Sequence, residues 1–195
     1  MEKRRFMKEN KGYSLVEMII VMAIIVIMTG AAMVTITIMH SAKAKEASIT
    51  LETALSDVQQ SAKGKMCVVS GTQEPDYRYA LVVYQTGGKY YVKKGYYIGN
   101  GSDVNDHNNY VFVDAENANS GKGECFSAYV DVKYVNPSGI EQDIGSIDSN
   151  DGVYIIYDKQ GMCIQGDGQY KFYKNKKDVL ISTVELNKNG SHTLR

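Results

Sequence analysis

The chain has 195 residues and no formal net charge, room for one membrane segment and one modest globular domain. Its 15 tyrosines, 18 glycines and only 2 prolines suit a turn-rich β domain better than a disordered polymer. Charge is uneven: Lys3, Arg4, Arg5, Lys8 and Lys11 stand against Glu2 and Glu9, so residues 1–12 are basic and the remainder is acidic, which argues against a nucleic-acid partner for the outer part of the chain.

After this basic start, Met18 to Met39 contains no charged residue. As a helix rising about 1.5 Å per residue, such a segment spans a hydrocarbon core of about 30 Å. Lys43 and Lys45 are the basic residues that follow closely. The positive-inside rule therefore places the N-terminus in the cytoplasm and residues beyond about 40 outside. A secretory signal peptide would carry a shorter apolar run and a small-residue cleavage site. Here helical patterning continues instead: Ala47, Leu51, Ala54, Leu55, Val58 and Ala62 recur at steps of three and four, an amphipathic stripe, and Gly64 is a stop signal. One helix is predicted from about Ser14 to Lys63, apolar on all sides at first and on one side later. Within it, "TGAAMVTITI" mixes glycine with β-branched residues, weak helix formers in water, and is expected to bend or melt locally.

From about Lys65 onward the signals are those of short strands. "MCVVS" (66–70), "YRYALVVYQ" (77–85) and "KYYVKKGYYI" (89–98) come first, the last two flanking Gly87-Gly88, a pair suited to a tight hairpin. "YVFV" (110–113), "CFSAYVDVKYV" (125–135), "VYIIY" (153–157), "MCIQ" (162–165), "QYKFY" (169–173) and "VLISTVEL" (179–186) follow. Polar stretches 99–109 and 114–124 read as exposed loops, and "NPSG" (136–139) as a turn. The predicted class is α+β: a long N-terminal helix, its first half transmembrane, with an antiparallel β-sheet packed on the stripe of its second half. The segments are 1–12, 13–39, 40–64 and a β-rich domain over 65–195.

Catalytic chemistry is sparse. His40, His107 and His192 lie far apart without a carboxylate or cysteine at ligand spacing, so no metal site is predicted. "SDVNDHNN" and "DSNDG" hold oxygen ligands but lack the glycine and terminal glutamate of a calcium loop. With no nucleophile elbow, phosphate loop or paired-cysteine motif, neither an enzyme nor a cofactor is expected. Cys67, Cys125 and Cys163 allow either one disulfide with a leftover thiol or three small core residues. Seven tyrosines fall within residues 77–97. Strand alternation turns about half of them inward as core, and the outward half has two readings, a contact surface or further core packing, with core packing the expectation for most.

"KGYSLVEMIIVMAIIVIM" resembles the start of a type IV prepilin or pseudopilin: a basic leader ending in glycine, an aromatic residue, small or apolar residues, a glutamate, and an apolar helix. The resemblance covers about the first 35 residues. Tyr13 stands where phenylalanine is commoner, and Val34 where many pilins carry a kinking proline. It implies that a prepilin peptidase cuts between Gly12 and Tyr13 and methylates the new N-terminus of Tyr13. It further implies that Glu17 meets the N-terminal amine of a neighbouring subunit during assembly. The alternative for Glu17 is a lone interfacial carboxylate reaching the headgroups, and the assembly role is the favoured expectation. The implied function is a membrane-inserted structural subunit that joins related subunits in a surface filament serving adhesion, motility, DNA uptake or secretion. The alternative is a single-pass anchored binding domain that does not polymerise, and DNA capture by the outer domain is a third.

Overall fold

The computed structural model describes residues 13–69, 71–99, 103–112, 121–127, 129–147, 150–174 and 179–195. Among the described residues, helix α1, Leu15–Gly64, is followed by thirteen strands. The chain divides into two compact units, residues 1–39 and 40–195.

In the first unit every residue from Tyr13 to Met39 is exposed. An apolar run on all sides of a helix has no solvent-facing stripe, the pattern of a helix that finds its environment in lipid or among other helices. The stretch from Thr29 to Ile38 is helical throughout, contrary to the expected melting. Its polar groups turn back on the helix: the Thr29 hydroxyl donates to Ile25 O at 2.8 Å and the Thr35 hydroxyl to Ala31 O at 3.0 Å. Such back-bonding lets hydroxyls sit in apolar surroundings without an orphaned donor.

In the second unit the helix becomes one-sided. Ala44, Ala47, Ser48, Leu51, Ala54, Leu55, Val58 and Ala62 are buried, the predicted stripe extended by one turn. The helix ends at Gly64, where Lys65 N donates to Ser61 O at 2.9 Å. All strand pairs are antiparallel, but they form two large sheets and a small hairpin, where a single sheet was expected. The hairpin joins β1 (Cys67–Val69) to β2 (Thr72–Glu74). One large sheet runs β10 (Cys163–Gln165), β9 (Val153–Tyr157), β3 (Arg78–Thr86), β4 (Lys89–Tyr97), β5 (Tyr110–Phe112), with β6 (Glu124–Cys125) also on β4. The other runs β13 (His192–Leu194), β12 (Leu180–Leu186), β11 (Gly168–Lys174), β7 (Val130–Val135), β8 (Glu141–Asp143).

The segment 125–135, which reads as one strand, is where the chain changes sheet. Glu124–Cys125 pairs with β4, and Val130–Val135 with β11. Phe126 N still donates to Tyr90 O at 2.9 Å, after which the chain leaves the first sheet. Strands β2, β8 and β13 went unpredicted because their short polar sequences lack apolar alternation. Strand β8 is an exposed edge, and Lys133 bonds Glu141 at 3.1 Å with Lys171 at 3.5 Å. Hydrogen bonding from Lys133 holds the Glu141 carboxyl below its usual range. Charges on an edge discourage pairing with a foreign strand.

The helix stripe meets both sheets in one core: Leu81, Val83, Val92 and Ile155 come from one, Val132, Tyr170, Phe172 and Val184 from the other. The Tyr90 hydroxyl of β4 donates to Asp131 of β7, tying sheet to sheet. A second cluster on the other face of the six-stranded sheet contains Tyr84, Tyr91, Tyr97, Tyr110 and Tyr154. Most of the clustered tyrosines are thus core on one face or the other. Tyr77, Tyr79 and Tyr96 are half-buried. The β3–β4 turn has Gly87 at φ 58° and Gly88 at φ 73°, the doubly left-handed hairpin turn that matches strand twist. Gln59, unnoticed in the sequence, anchors the helix to two other turns. Its side-chain amide donates to Gly161 O and Gly190 O, both at 2.9 Å.

Burial pushes the hydroxyls of Tyr79 and Tyr134 up to about 12, and those of Tyr90, Tyr110, Tyr157 and Tyr170 also upward. An unfolded tyrosine titrates near about 10. The stabilisation from raised folded values is therefore complete below about pH 10 and declines as pH rises through about 12 and beyond. The urea midpoint should hold from pH 7 to 9 and fall by pH 11, with tyrosinate absorbance rising as the domain unfolds; an unchanged midpoint at pH 11 contradicts this.

Candidate functional site

The N-terminal residues form the candidate processing and assembly site. Ser14 O accepts from Met18 N at 3.1 Å, so Ser14 occupies the N-cap position and α1 begins at Leu15. Glu17 lies in the first turn, where a carboxylate complements the positive end of the helix dipole. It is exposed and has no ion-pair partner among the described residues. Tyr13 precedes the helix and is also exposed. Gly12, the predicted cleavage residue, lies outside the described residues. Tyr13 and Glu17 are thus close in sequence, open to partners, and followed by an uncharged helical run.

The other candidates are dispersed. The His40 ring stacks on Tyr129 with centroids 4.7 Å apart. His192 Nε2 stands 3.8 Å from Glu52 Oε1. His107 Nδ1 lies 3.0 Å from Asn150 Oδ1, which also accepts from His107 N at 3.1 Å. That contact brings together two polar loops the sequence keeps apart. Among the described residues no three histidine, cysteine, aspartate or glutamate side chains are grouped to hold a metal.

The three cysteines are free thiols, with Cys67 and Cys163 buried and Cys125 half-buried. Burial pushes the Cys67 thiol up to about 11 and the Cys163 thiol up to about 12, so little reactive thiolate forms at either near neutral pH. Alkylation after unfolding without reductant should add three groups to the intact mass, whereas brief treatment of the folded protein should modify Cys125 ahead of the others. Fewer than three groups after unfolding would reveal a disulfide.

The prokaryotic N-terminal methylation motif matches residues 7–33. This is the type IV prepilin-type cleavage and methylation signal, and it indicates a type IV pilin-like precursor, processed in general by a prepilin peptidase. No curated protein and no solved structure matches the chain.

Proposed function

We propose that this chain, which carries the prepilin-type signal over residues 7–33, is a structural filament subunit cut between Gly12 and Tyr13, methylated on the Tyr13 amine, and assembled through Glu17. The observation carrying this reading is the signal's continuity with a helix that is exposed from Met18 to Met39 and apolar there apart from its threonines. Before assembly that surface resides in the membrane, with the basic leader on the cytoplasmic side and the β domain outside. Removing the leader takes away its positive charges yet leaves the apolar helix as an anchor.

Cleavage frees an α-ammonium on Tyr13. Methylation exchanges one N–H for N–CH3 and leaves a secondary amine still cationic at neutral pH. In a filament the helices surround one another, and an unpaired carboxylate there costs several kcal/mol. The Tyr13 ammonium of an adjacent subunit offsets that cost only in one register. Glu17 therefore selects the stagger between subunits, and a slipped subunit leaves both charges buried without a partner. Repetition of one non-closing contact yields an open helical filament.

A non-polymerising anchored binding domain is the competing reading, and processing separates the two. Gly12→Val places a β-branched side chain at the scissile bond, and the protein should stay in the membrane with its leader attached. A normal mature mass in that variant removes the cleavage assignment, and wild-type protein that retains Met1 favours the anchored domain.

Glu17→Gln keeps shape and removes charge. It should be inserted and cleaved normally, but its content in sheared filaments should fall about tenfold or more, because breaking a buried ion pair costs about 3–5 kcal/mol. Mature mass and filament content, compared between wild type and variant, test this. Equal incorporation makes Glu17 an interfacial charge without an assembly role.

A further inference from the structure

Where α1 ends, residues from the helix, the β1–β2 hairpin, β3 and the turn after β9 line an open-sided cavity of about 240 Å³. Four cationic residues line it, Lys63, Lys65, Arg78 and Lys159, against two carboxylates, Glu74 and Asp158. None of the four cations has an ion-pair partner among the described residues. Asp158 is already engaged: its Oδ1 accepts from Gln160 N at 2.9 Å and Met162 N at 2.7 Å. The lining therefore carries an excess of two positive charges in a chain whose total is zero.

Arg78 is half-buried, and Lys63, Lys65 and Lys159 are exposed at the rim. The Lys63 stem lies so close to Gly161 that a Cβ there would fall 2.2 Å from Lys63 Cε. Lys159, Arg78 and the buried Cys67 all line the cavity. Tyr79 fixes another wall by donating from its hydroxyl to Met66 O at 3.3 Å. Tyr157 also lines the cavity, and its buried hydroxyl has no hydrogen-bond partner among the described residues. The carbonyl end of α1 brings a partial negative charge of about one half, smaller than the excess it faces.

We propose that this cavity binds a small molecule bearing a phosphate-type dianion, with Arg78 and Lys159 as the principal contacts. A dianion matches the excess charge, and guanidinium with ammonium is the usual donor pair for phosphate oxygens. A volume of about 240 Å³ suits a single headgroup and not a run of nucleotides.

Full-length protein in detergent, titrated by calorimetry at low ionic strength with inorganic phosphate and with glycerol 3-phosphate, tests the site. Saturable binding of at least one probe at one site per chain is expected. Tighter binding of the ester identifies an esterified headgroup as the ligand, and tighter binding of inorganic phosphate identifies the free ion. Arg78→Gln and Lys159→Gln should each weaken binding by about tenfold or more, the loss of one charge-assisted hydrogen bond. Lys188→Gln, at an exposed position outside the cavity, should leave it unchanged, with far-UV circular dichroism confirming that all three variants are folded. Absence of saturable binding by either probe overturns the proposal. So does equal weakening by Lys188→Gln, which reports diffuse attraction to the surface.

Discussion

The β domain depends on the burial of one face of a helix. Between Ala44 and Ala62 the stripe alternates alanines with Leu51, Leu55 and Val58. Small side chains let strands approach the helix closely, while the larger ones supply apolar area, each contributing about 1.5–3 kcal/mol when fully removed from water. Both large sheets meet this stripe in a single core. Gln59 reinforces the contact at the rim by satisfying two turn carbonyls at once. Because those turns belong to different sheets, one amide links the helix to the ends of both.

The tyrosines follow from this arrangement. A sheet with the helix on one face and polar loops on the other has two faces to cover. Strand β3 is accordingly buried from Ala80 to Tyr84 on both sides. Aromatic rings fill the second face, with Tyr110 stacked on Tyr154 at 4.5 Å and on Phe112 at 5.8 Å. Two of these hydroxyls reach backbone carbonyls, Tyr84 at Lys122 O and Tyr110 at Val104 O. Tyrosine can thus fill a core and still place its polar tip against a loop. Within residues 77–97 the tyrosines outside the core are the half-buried Tyr77, Tyr79 and Tyr96.

The polar chemistry is distributed by the same logic. Edge strand β8 displays acids that lysines of the neighbouring strands neutralise, which is protection of an edge. Among the described residues the cations around the end of α1 have no carboxylate within ion-pair distance, and the proposal gives that charge to a ligand. At the N-terminus, Glu17 is a single carboxylate ahead of an uncharged run. In the proposed filament its value lies in being costly wherever it lacks a cation, which makes a charge useful for specifying register.

The sequence by itself determined the features that depend on short-range pattern. The apolar run, the change to a stripe at Ala47, the stop at Gly64 and the Gly87-Gly88 hairpin are written in consecutive residues, because helix periodicity and left-handed turns are local properties. The prepilin-type start is equally local, with Gly12, Tyr13 and Glu17 at fixed spacing. Tertiary structure alone decided what depends on partners distant in the chain. Alternation says which side chains share a face, but not which sheet a strand joins, so the division into two sheets and the crossing between Cys125 and Val130 were hidden. Polar strands such as β8 exist only because a neighbour accepts their hydrogen bonds. The meeting of Lys63, Arg78 and Lys159 around one cavity likewise requires the helix end, β3 and the turn after β9 to converge, and no spacing in the sequence encodes that convergence.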